Sequence, residues 1–193
     1  MVDVRRLSID ELQSFLDFMG GPAFATNPQW AGCYCQFYLN APGEGNLVED
    51  PGETNRQKAC DRIMDGTMQG YLAFDGEKAI GWMAANKANN FKAMPKTADD
   101  VAKVLCFVID ADHQGRGVAT TLLRFAIQDL ASQGFTSLEA APRSSDDFDS
   151  AGYRGKLSTY VKAGFVAGQK LDEHHVLVRR TLTIPEVTIR GAT

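Results

Sequence analysis

The sequence predicts an α/β (α+β) fold, in which one mixed, mostly antiparallel sheet carries helices on both faces. Three patterns lead to this prediction. An apolar, β-forming run over 102–110 passes through a turn with two glycines into an amphipathic helix over 117–133. The pair Asp75-Gly76 joins two further apolar runs and is a strong hairpin signal. Strand-like and helix-like segments follow one another along the rest of the chain, without an internal repeat.

The N-terminal third is predicted to hold one strand and two helices. A short strand over 2–7 is followed by a helix with four apolar side chains on one face, namely Leu12, Phe15, Leu16 and Met19. Gly20-Gly21-Pro22 ends this helix. Residues 22–53 contain turn signals and no regular pattern. A second helix is predicted over 54–68, with one apolar side formed by Ala59, Ile63, Met64 and Met68.

The rest of the chain is predicted to form most of the sheet. The hairpin pairs strands over 70–75 and 79–85, and a polar loop over 86–100 leads to the central strand. The helix over 117–133 has a single apolar stripe, formed by Ala119, Leu122, Leu123, Ala126, Ile127 and Leu130. Four segments follow, namely a strand over 136–141, a polar stretch over 142–150, a helix over 153–163 and a strand over 174–184.

The composition favours a single domain that spans residues 1–193. The chain has 193 residues, 44% of them hydrophobic, which is enough for one core. The net charge is −4 and no long basic run is present, so nucleic-acid binding has no support. The N-terminus lacks the apolar region of a signal peptide, and no apolar run approaches the length of a membrane span. We therefore expect a cytoplasmic protein with reduced cysteines and no membrane association.

The turn before the long helix is a candidate phosphate site. The order of strand, turn, glycines and helix places free backbone N–H groups at the positive end of a helix dipole, beside the end of a strand. Gly115 and Gly117 allow a close approach of a diphosphate, because neither carries a Cβ. The alternative is that these glycines form only a tight turn.

Two other phosphate-binding motifs fit the sequence less well. A P-loop requires Gly-Lys-Ser/Thr, which is absent. The dinucleotide motif is closer, because Gly115-x-Gly117-x-x-Thr120 is nearly GxGxxG and an acidic residue follows at Glu139. However, the third glycine is missing, the first glycine does not directly follow the strand, and too little chain remains for a doubly wound sheet.

A different motif fits this turn at every position. Gln114-Gly115-Arg116-Gly117-Val118-Ala119 follows the pattern Gln/Arg-x-x-Gly-x-Gly/Ala, and here the chain resembles the GNAT superfamily of acyl-CoA-dependent N-acyltransferases. Tyr160-Val-Lys-Ala-Gly164-Phe165 is similar to the family's Tyr-x-x-x-Gly-Phe. Cys33-x-Cys35 beside aromatic residues, together with Gly81-Trp82 and Glu139-Ala-Ala-Pro142, resembles an uncharacterised bacterial subgroup.

The resemblance implies a GNAT-like domain that binds acetyl-CoA (coenzyme A) between splayed central strands. Phe107 and Val108 would offer the edge that pairs with the pantetheine arm. The diphosphate would bind at seven residues of the turn and helix, namely Gln114, Gly115, Arg116, Gly117, Val118, Ala119 and Thr120. The implied activity is transfer of an acetyl group to a primary amine by direct attack in a ternary complex. The alternative is a domain that binds acyl-CoA for regulation or scaffolding and catalyses nothing.

Two residues are candidates for catalysis. By resemblance, Tyr160 is the acid that protonates the departing thiolate, although a buried helix aromatic is the alternative. Glu139 is a candidate base if its strand turns it toward the acceptor, and a cross-strand salt partner otherwise. By resemblance, the backbone N–H of Phe107 or Val108 stabilises the oxyanion.

The remaining candidates point away from metal and thiol chemistry. No metal site is expected, because the spacing of Cys33, Cys35 and the other cysteines and histidines does not fit one. Cys106 is expected to be a structural thiol. Trp30 and Trp82 either line the acceptor cleft or belong to the core. The acceptor is expected to be an amine on a small molecule or peptide, bound by the N-terminal region and loops 86–100 and 142–152. Both a monomer and a homodimer are compatible with the sequence.

Overall fold

The structure, a computed structural model, describes residues 2–44, 52–144 and 152–183. Within these ranges seven strands form one sheet: β1 (Asp3–Arg6), β2 (Gly70–Asp75), β3 (Lys78–Lys87), β4 (Val101–Ile109), β5 (Ser137–Ala140), β6 (Val166–Lys170) and β7 (Val176–Thr181). The α-helices in the same ranges are α1 (Leu12–Gly20), α2 (Gly52–Met64), α3 (Val118–Ser132) and α4 (Leu157–Lys162). No helix in this part of the chain is long and apolar enough to cross a membrane.

The sheet has the strand order β1-β2-β3-β4-β5-β7-β6. Neighbouring strands are antiparallel except for β4 and β5, which are parallel and connected through α3. The predicted mixed, mostly antiparallel sheet is therefore confirmed. Most of the polar stretch predicted over 142–150 and residue 184 of the predicted last strand lie outside the described residues.

Each face of the sheet carries its own apolar core, as predicted. On one face, Leu122, Leu123 and other residues of α3 pack with Tyr160 of α4 against the strands. On the other face, Phe15 of α1 and Ile63 of α2 are part of a second cluster. The predicted apolar faces of α1 and α3 are therefore the faces on which these helices pack.

The helix predicted over 54–68 begins and ends earlier than expected. It occupies Gly52–Met64, and Met64, a member of the predicted apolar side, is 58% exposed. Met68 is buried in the second core, but it follows the helix rather than belonging to it. The helix predicted over 153–163 is also shorter, because Gly155 adopts φ +78° and separates a 3₁₀ turn from α4.

The C-terminal part contains a strand that the sequence did not predict. All residues of β6 are exposed, and the segment Val-Ala-Gly-Gln-Lys has no alternation of apolar and polar side chains. The predicted strand over 174–184 is reduced to β7, so His174 and His175 precede it. The His175 side chain contacts Asp172, with 2.9 Å between His175 Nδ1 and Asp172 Oδ1.

The central strands separate at one end, and this positions the functional site. β5 pairs with β4 only from Val101 to Val104, and β4 then continues alone on that side to Ile109. The register between β3 and β4 shifts at the same point, where Leu105 is the extra residue of a β-bulge. The splayed strands that the resemblance implied are therefore present in the fold.

Candidate active site

The turn between β4 and α3 is organised by the buried carboxylate of Asp110. Asp110 Oδ1 accepts a hydrogen bond from the Asp112 amide at 3.0 Å and lies 3.1 Å from His113 Nδ1, while Lys78 Nζ lies 3.3 Å from Oδ2. Burial alone would raise the pKa of this carboxyl, but the hydrogen bonds from these partners outweigh burial and lower the pKa. The ionised carboxylate thus holds the first residues of the turn in place.

Both glycines of the turn are required by their backbone conformation. Gly115 has φ +72° and Gly117 has φ +84°, in the left-handed region that side chains with a Cβ rarely adopt. A Cβ added at either position would meet no protein atom within 4 Å. The space in front of this main chain is therefore open to a ligand.

The N-terminus of α3 presents free amides to the same space. The Thr121 amide donates to Gly117 O at 3.0 Å and is the first amide bonded within the helix. The amides of Val118, Ala119 and Thr120 precede it, so they have no partner inside the helix. These residues lie at the positive end of a 15-residue helix, where an anion is stabilised.

The register of β3 and β4 decides which amide of β4 faces the gap. The Asp110 amide donates to Ile80 O at 2.9 Å, so these two residues form a hydrogen-bonded pair. Because bonded and non-bonded pairs alternate in an antiparallel ladder, Val108 is also bonded to its partner Trp82. The N–H of Phe107 consequently points away from β3, into the gap that β5 leaves open. Of the two predicted oxyanion donors, the geometry favours Phe107.

A cleft with a volume of about 340 Å³ connects this gap with the turn. It is lined by all but one of the predicted cofactor residues, namely Phe107, Val108, Gln114, Gly115, Gly117, Val118, Ala119 and Thr120. Arg116 is the exception, since its side chain is exposed and outside the cleft wall. Lys156, which precedes α4, lines the cleft instead. No sequence motif marked that lysine.

A comparison with known protein families identifies the family of this chain. The family model described as the acetyltransferase (GNAT) family matches residues 34–156 of the chain. The chain belongs to the GNAT acetyltransferase family. The resemblance inferred from the turn motif is thereby confirmed. A search of curated proteins by sequence found no match.

Solved GNAT structures share the fold of this chain at low sequence identity. The GNAT domain of S. lividans PAT is 17% identical, with a TM-score of 0.60 and coverage of 94% of this chain and 90% of that one. The paia N-acetyltransferase of Thermoplasma acidophilum, solved in complex with coenzyme A, is 14% identical, with a TM-score of 0.59 and coverage of 94% and 99%. The ribosomal-protein-S18-alanine N-acetyltransferase of Escherichia coli is 12% identical, with a TM-score of 0.55 and coverage of 99% and 100%.

In this GNAT protein, Tyr160 lies behind the wall of the cleft. Its ring packs against those of Phe107 and Phe165, with ring centroids 6.2 Å and 5.1 Å apart. Its hydroxyl donates to the carbonyl of Arg154 at 3.0 Å. Burial raises the pKa of Tyr160 far above its ordinary value, so the phenol keeps its proton. Tyr160 itself is absent from the cleft lining, and its role as the acid stays a prediction.

Glu139 is held in ion pairs within the sheet. Its Oε1 accepts a hydrogen bond from Arg179 Nε at 2.9 Å, and its Oε2 lies 3.7 Å from Lys103 Nζ. The residue is 5% exposed and lines neither the cleft nor the pocket described next. These contacts match the cross-strand salt partner considered above and give the predicted base role no support.

A second cavity of about 160 Å³ adjoins the cleft on the α1 side of the sheet. We call it the aromatic–thiol pocket, and it is lined by Met19, Phe24, Trp30, Cys33, Cys35, Phe37, Tyr38, Cys106, Val108 and Tyr153. Four of these residues also line the cleft, namely Phe24, Trp30, Val108 and Tyr153. The sequence had indicated Trp30 as a candidate for the cleft, whereas Trp82, the other candidate, is fully buried.

Two thiols of this pocket, those of Cys35 and Cys106, are hydrogen-bonded to each other, and Cys35 is also hydrogen-bonded to Trp82 of the core. Trp82 Nε1 donates to Cys35 Sγ at 3.1 Å. A hydrogen bond from Cys106 and this bond from Trp82 lower the pKa of Cys35 despite its burial, while Cys106, as the donor, has a raised pKa. Burial and the nearby Cys35 raise the pKa of Cys33 to about 12. Within the described ranges no group of three or more His, Cys, Asp or Glu residues could hold a metal ion.

Proposed function

We propose that this protein is an N-acetyltransferase that moves the acetyl group of acetyl-CoA to a primary amine by direct attack in a ternary complex. The continuity of the cleft carries the proposal, because one cavity includes both the free amides of α3 and the outward N–H of Phe107. Coenzyme A needs such a site, since its amide-rich arm seeks main-chain partners and its diphosphate seeks an anion site. The family supports acyl-CoA as the donor.

Different residues of the cleft would bind different parts of coenzyme A. The amides from Gln114 to Thr120 would hold the diphosphate, and the open edge of β4 at Phe107 would pair with the pantetheine arm. Lys156 in the cleft wall and Arg116, a residue of the turn whose side chain lies outside that wall, would supply positive charge. The open space in front of Gly115 and Gly117 supports this fit.

The chemistry requires an oxyanion donor and an acid. The amine nitrogen attacks the thioester carbonyl carbon, the carbonyl oxygen gains negative charge, and the C–S bond then breaks. The Phe107 N–H would stabilise the oxyanion, and the Tyr160 hydroxyl would protonate the departing thiolate. The proton of the attacking nitrogen would leave through bound water, because Glu139 is held by Arg179 and Lys103.

A pair of measurements tests the proposal. Coenzyme A at a hundred times its dissociation constant should stabilise the native state by about 2.7 kcal/mol, which raises Tm by about 5–10 °C for a chain of this size. A panel of primary amines incubated with acetyl-CoA should release free thiol. Absence of stabilisation by coenzyme A would overturn the assignment of the cleft.

A second candidate function is a GNAT domain that binds acyl-CoA without catalysis. One observation favours it, since the hydroxyl of Tyr160 is bonded to a backbone carbonyl and the carboxylate of Glu139 is bonded to arginine. A binding-only protein would keep its affinity for coenzyme A and release no thiol with any amine.

The proposal also includes the setting of the reaction. We place it in the cytoplasm, where the four cysteines, which are free in the structure, stay reduced. The acceptor is an amine on a small molecule or peptide, and the protein acts as a monomer or homodimer.

A further inference from the structure

The size of the aromatic–thiol pocket limits what can occupy it. Its volume of about 160 Å³ is close to the about 150 Å³ of an apolar protein cavity that binds benzene. A single ring of six carbons therefore fits this volume.

The lining of the pocket consists of aromatic rings, a thioether and thiols. Trp30 and Tyr153 pack edge to face with ring centroids 5.4 Å apart, and Phe37 and Tyr38 do so at 4.9 Å. Edge-to-face rings and sulfur atoms make favourable contacts with a further aromatic ring.

Three polar atoms around the pocket already have partners. The hydroxyls of Tyr38 and Tyr153 lie 3.0 Å apart, and Arg154 Nη2 donates to the Tyr38 hydroxyl at 2.9 Å. Cys35 Sγ accepts the hydrogen bond from Trp82. A polar ligand group that entered the pocket would give up its hydrogen bonds to water and would compete with these existing contacts, whereas an apolar group gives up no hydrogen bond.

The position of the pocket connects it to the acyl-transfer step. Val108, next to the Phe107 amide, lines both cavities, so a ligand in the pocket adjoins the place proposed for the thioester. The pocket is open to solvent on one side, where Phe37 is 47% exposed. An acceptor can therefore enter while coenzyme A occupies the cleft.

We propose that the aromatic–thiol pocket selects an acceptor amine that carries one phenyl-sized apolar group. The inference rests on the proposed function, since it concerns the acceptor side of the same site. The ring would occupy the pocket and the amine would project past Val108 toward the thioester.

Matched amines test this selectivity. With acetyl-CoA as donor, 2-phenylethylamine should exceed ethylamine in kcat/KM by about tenfold to a hundredfold, because burial of the ring removes a large apolar area from water. Equal kcat/KM values for the two amines would overturn the inference while leaving the acetyltransferase proposal intact. Thiol release with neither amine would instead count against the proposed function.

A binding measurement keeps the inference testable without turnover. Calorimetric titration of the protein saturated with coenzyme A should show a dissociation constant for 2-phenylethylamine about tenfold or more below that for ethylamine. Equal or undetectable binding of both amines would contradict the pocket assignment whether or not the protein is an enzyme.

A pair of variants locates the ring. Cys33→Leu places a larger side chain in the pocket and should remove most of the advantage of 2-phenylethylamine, with an unchanged dissociation constant for coenzyme A. Cys60→Leu is the matched control, since Cys60 is also partly buried but lines neither cavity, and it should keep the advantage. An advantage retained in Cys33→Leu would overturn the assignment.

A change of donor separates the acceptor from the acyl chain. With ethylamine as acceptor, phenylacetyl-CoA should give no higher kcat/KM than acetyl-CoA. A higher value for phenylacetyl-CoA would show that the pocket receives the acyl group, and this would overturn the inference.

Discussion

At the scale of single residues, Tyr160 and Glu139 are two buried ionisable groups with different partners. Burial keeps the Tyr160 phenol protonated, and the phenol gives its hydrogen bond to the neutral carbonyl of Arg154. Glu139 is equally buried, but Arg179 and Lys103 lie against its carboxylate. The surroundings of Glu139 favour a structural ion pair, whereas the Tyr160 hydroxyl is bonded behind the cleft wall and its role as the acid stays a prediction.

Replacement of Tyr160 by phenylalanine tests the acid role. Tyr160→Phe should lower kcat by about a hundredfold and leave the dissociation constant of coenzyme A within about a factor of two, because only the transition state uses the proton. Tyr71→Phe is a matched control, since its buried hydroxyl donates to Asp129 at 2.8 Å away from the cleft. The control should lower Tm alone, and an unchanged kcat in Tyr160→Phe would exclude the acid role.

Replacement of Glu139 by glutamine separates a base from a salt partner. Glu139→Gln should lower the free energy of unfolding by about 1–3 kcal/mol, since two cations lose their carboxylate partner and one of them, Arg179, is partly solvated. The value of kcat/KM should stay within about a factor of three. Urea unfolding and steady-state kinetics measure the two effects. A large loss of kcat/KM at unchanged stability would instead identify Glu139 as the base.

At the scale of secondary-structure elements, predictability followed the local pattern. The helix α3 was predicted from its apolar stripe and the hairpin of β2 and β3 from its Asp-Gly turn, because each signal lies within one short stretch of sequence. The edge strand β6 was missed because all its side chains are exposed, so no alternation marks it. The break before α4 was missed because no local pattern marks it: Gly155 has a positive φ, and a Cβ added there would lie 3.2 Å from the Phe107 ring and 3.3 Å from the Tyr160 ring.

The two ends of α3 allow the role of the turn glycine to be isolated. Gly117→Ala should lower the free energy of unfolding by about 1 kcal/mol through left-handed strain, and should weaken coenzyme A binding by about tenfold or more because a Cβ enters the ligand space. Gly134 at the other end of α3 has φ +89° and an equally open Cβ position. Gly134→Ala should show the same loss of stability and no loss of affinity. Equal affinities of the two variants for coenzyme A would argue against binding of the diphosphate at this turn.

The Asp110 turn should make stability depend on pH. Its folded pKa is lowered, so its contribution is present above the unfolded value of 3.8 and is lost as pH falls through the folded pKa. Asp110→Asn should therefore lose about 1–2 kcal/mol at neutral pH, and the difference from the wild type should shrink below about pH 4. Urea unfolding at several pH values measures this. Asp112→Asn, an exposed change in the same turn, should show little loss, and a constant difference for Asp110→Asn would exclude the charge effect.

At the scale of the whole molecule, the two halves of the site differ in how the chain builds them. The turn from Gln114 to Thr120, proposed to bind the cofactor, was predictable because its residues are contiguous, and all of them except Arg116 line the cleft. The aromatic–thiol pocket was not, because it joins Met19, Tyr38 and Tyr153 across the fold. The position of the pocket residues around Cys35 also depends on positive φ angles at Tyr34 (+42°) and Cys35 (+59°), which no sequence pattern predicts. The expected N-terminal region contributes to the pocket, whereas the loop over 86–100 does not line it.

The adjacency of the two cavities predicts the kinetic order of the reaction. Cleft and pocket share four lining residues yet each has its own space, so acetyl-CoA and amine can be bound together. Initial rates with both substrates varied should give intersecting double-reciprocal lines.

The rival route would pass the acetyl group through a thiol, and Cys35 is the candidate because its pKa is lowered. That route predicts parallel lines and an acetylated protein after incubation with acetyl-CoA alone. We expect intact-mass measurement to show an unmodified chain in that incubation, because the Cys35 sulfur is already engaged by Trp82 and Cys106 and the described residues place no base beside it. Parallel lines together with an acetylated cysteine would replace direct attack by a two-step transfer.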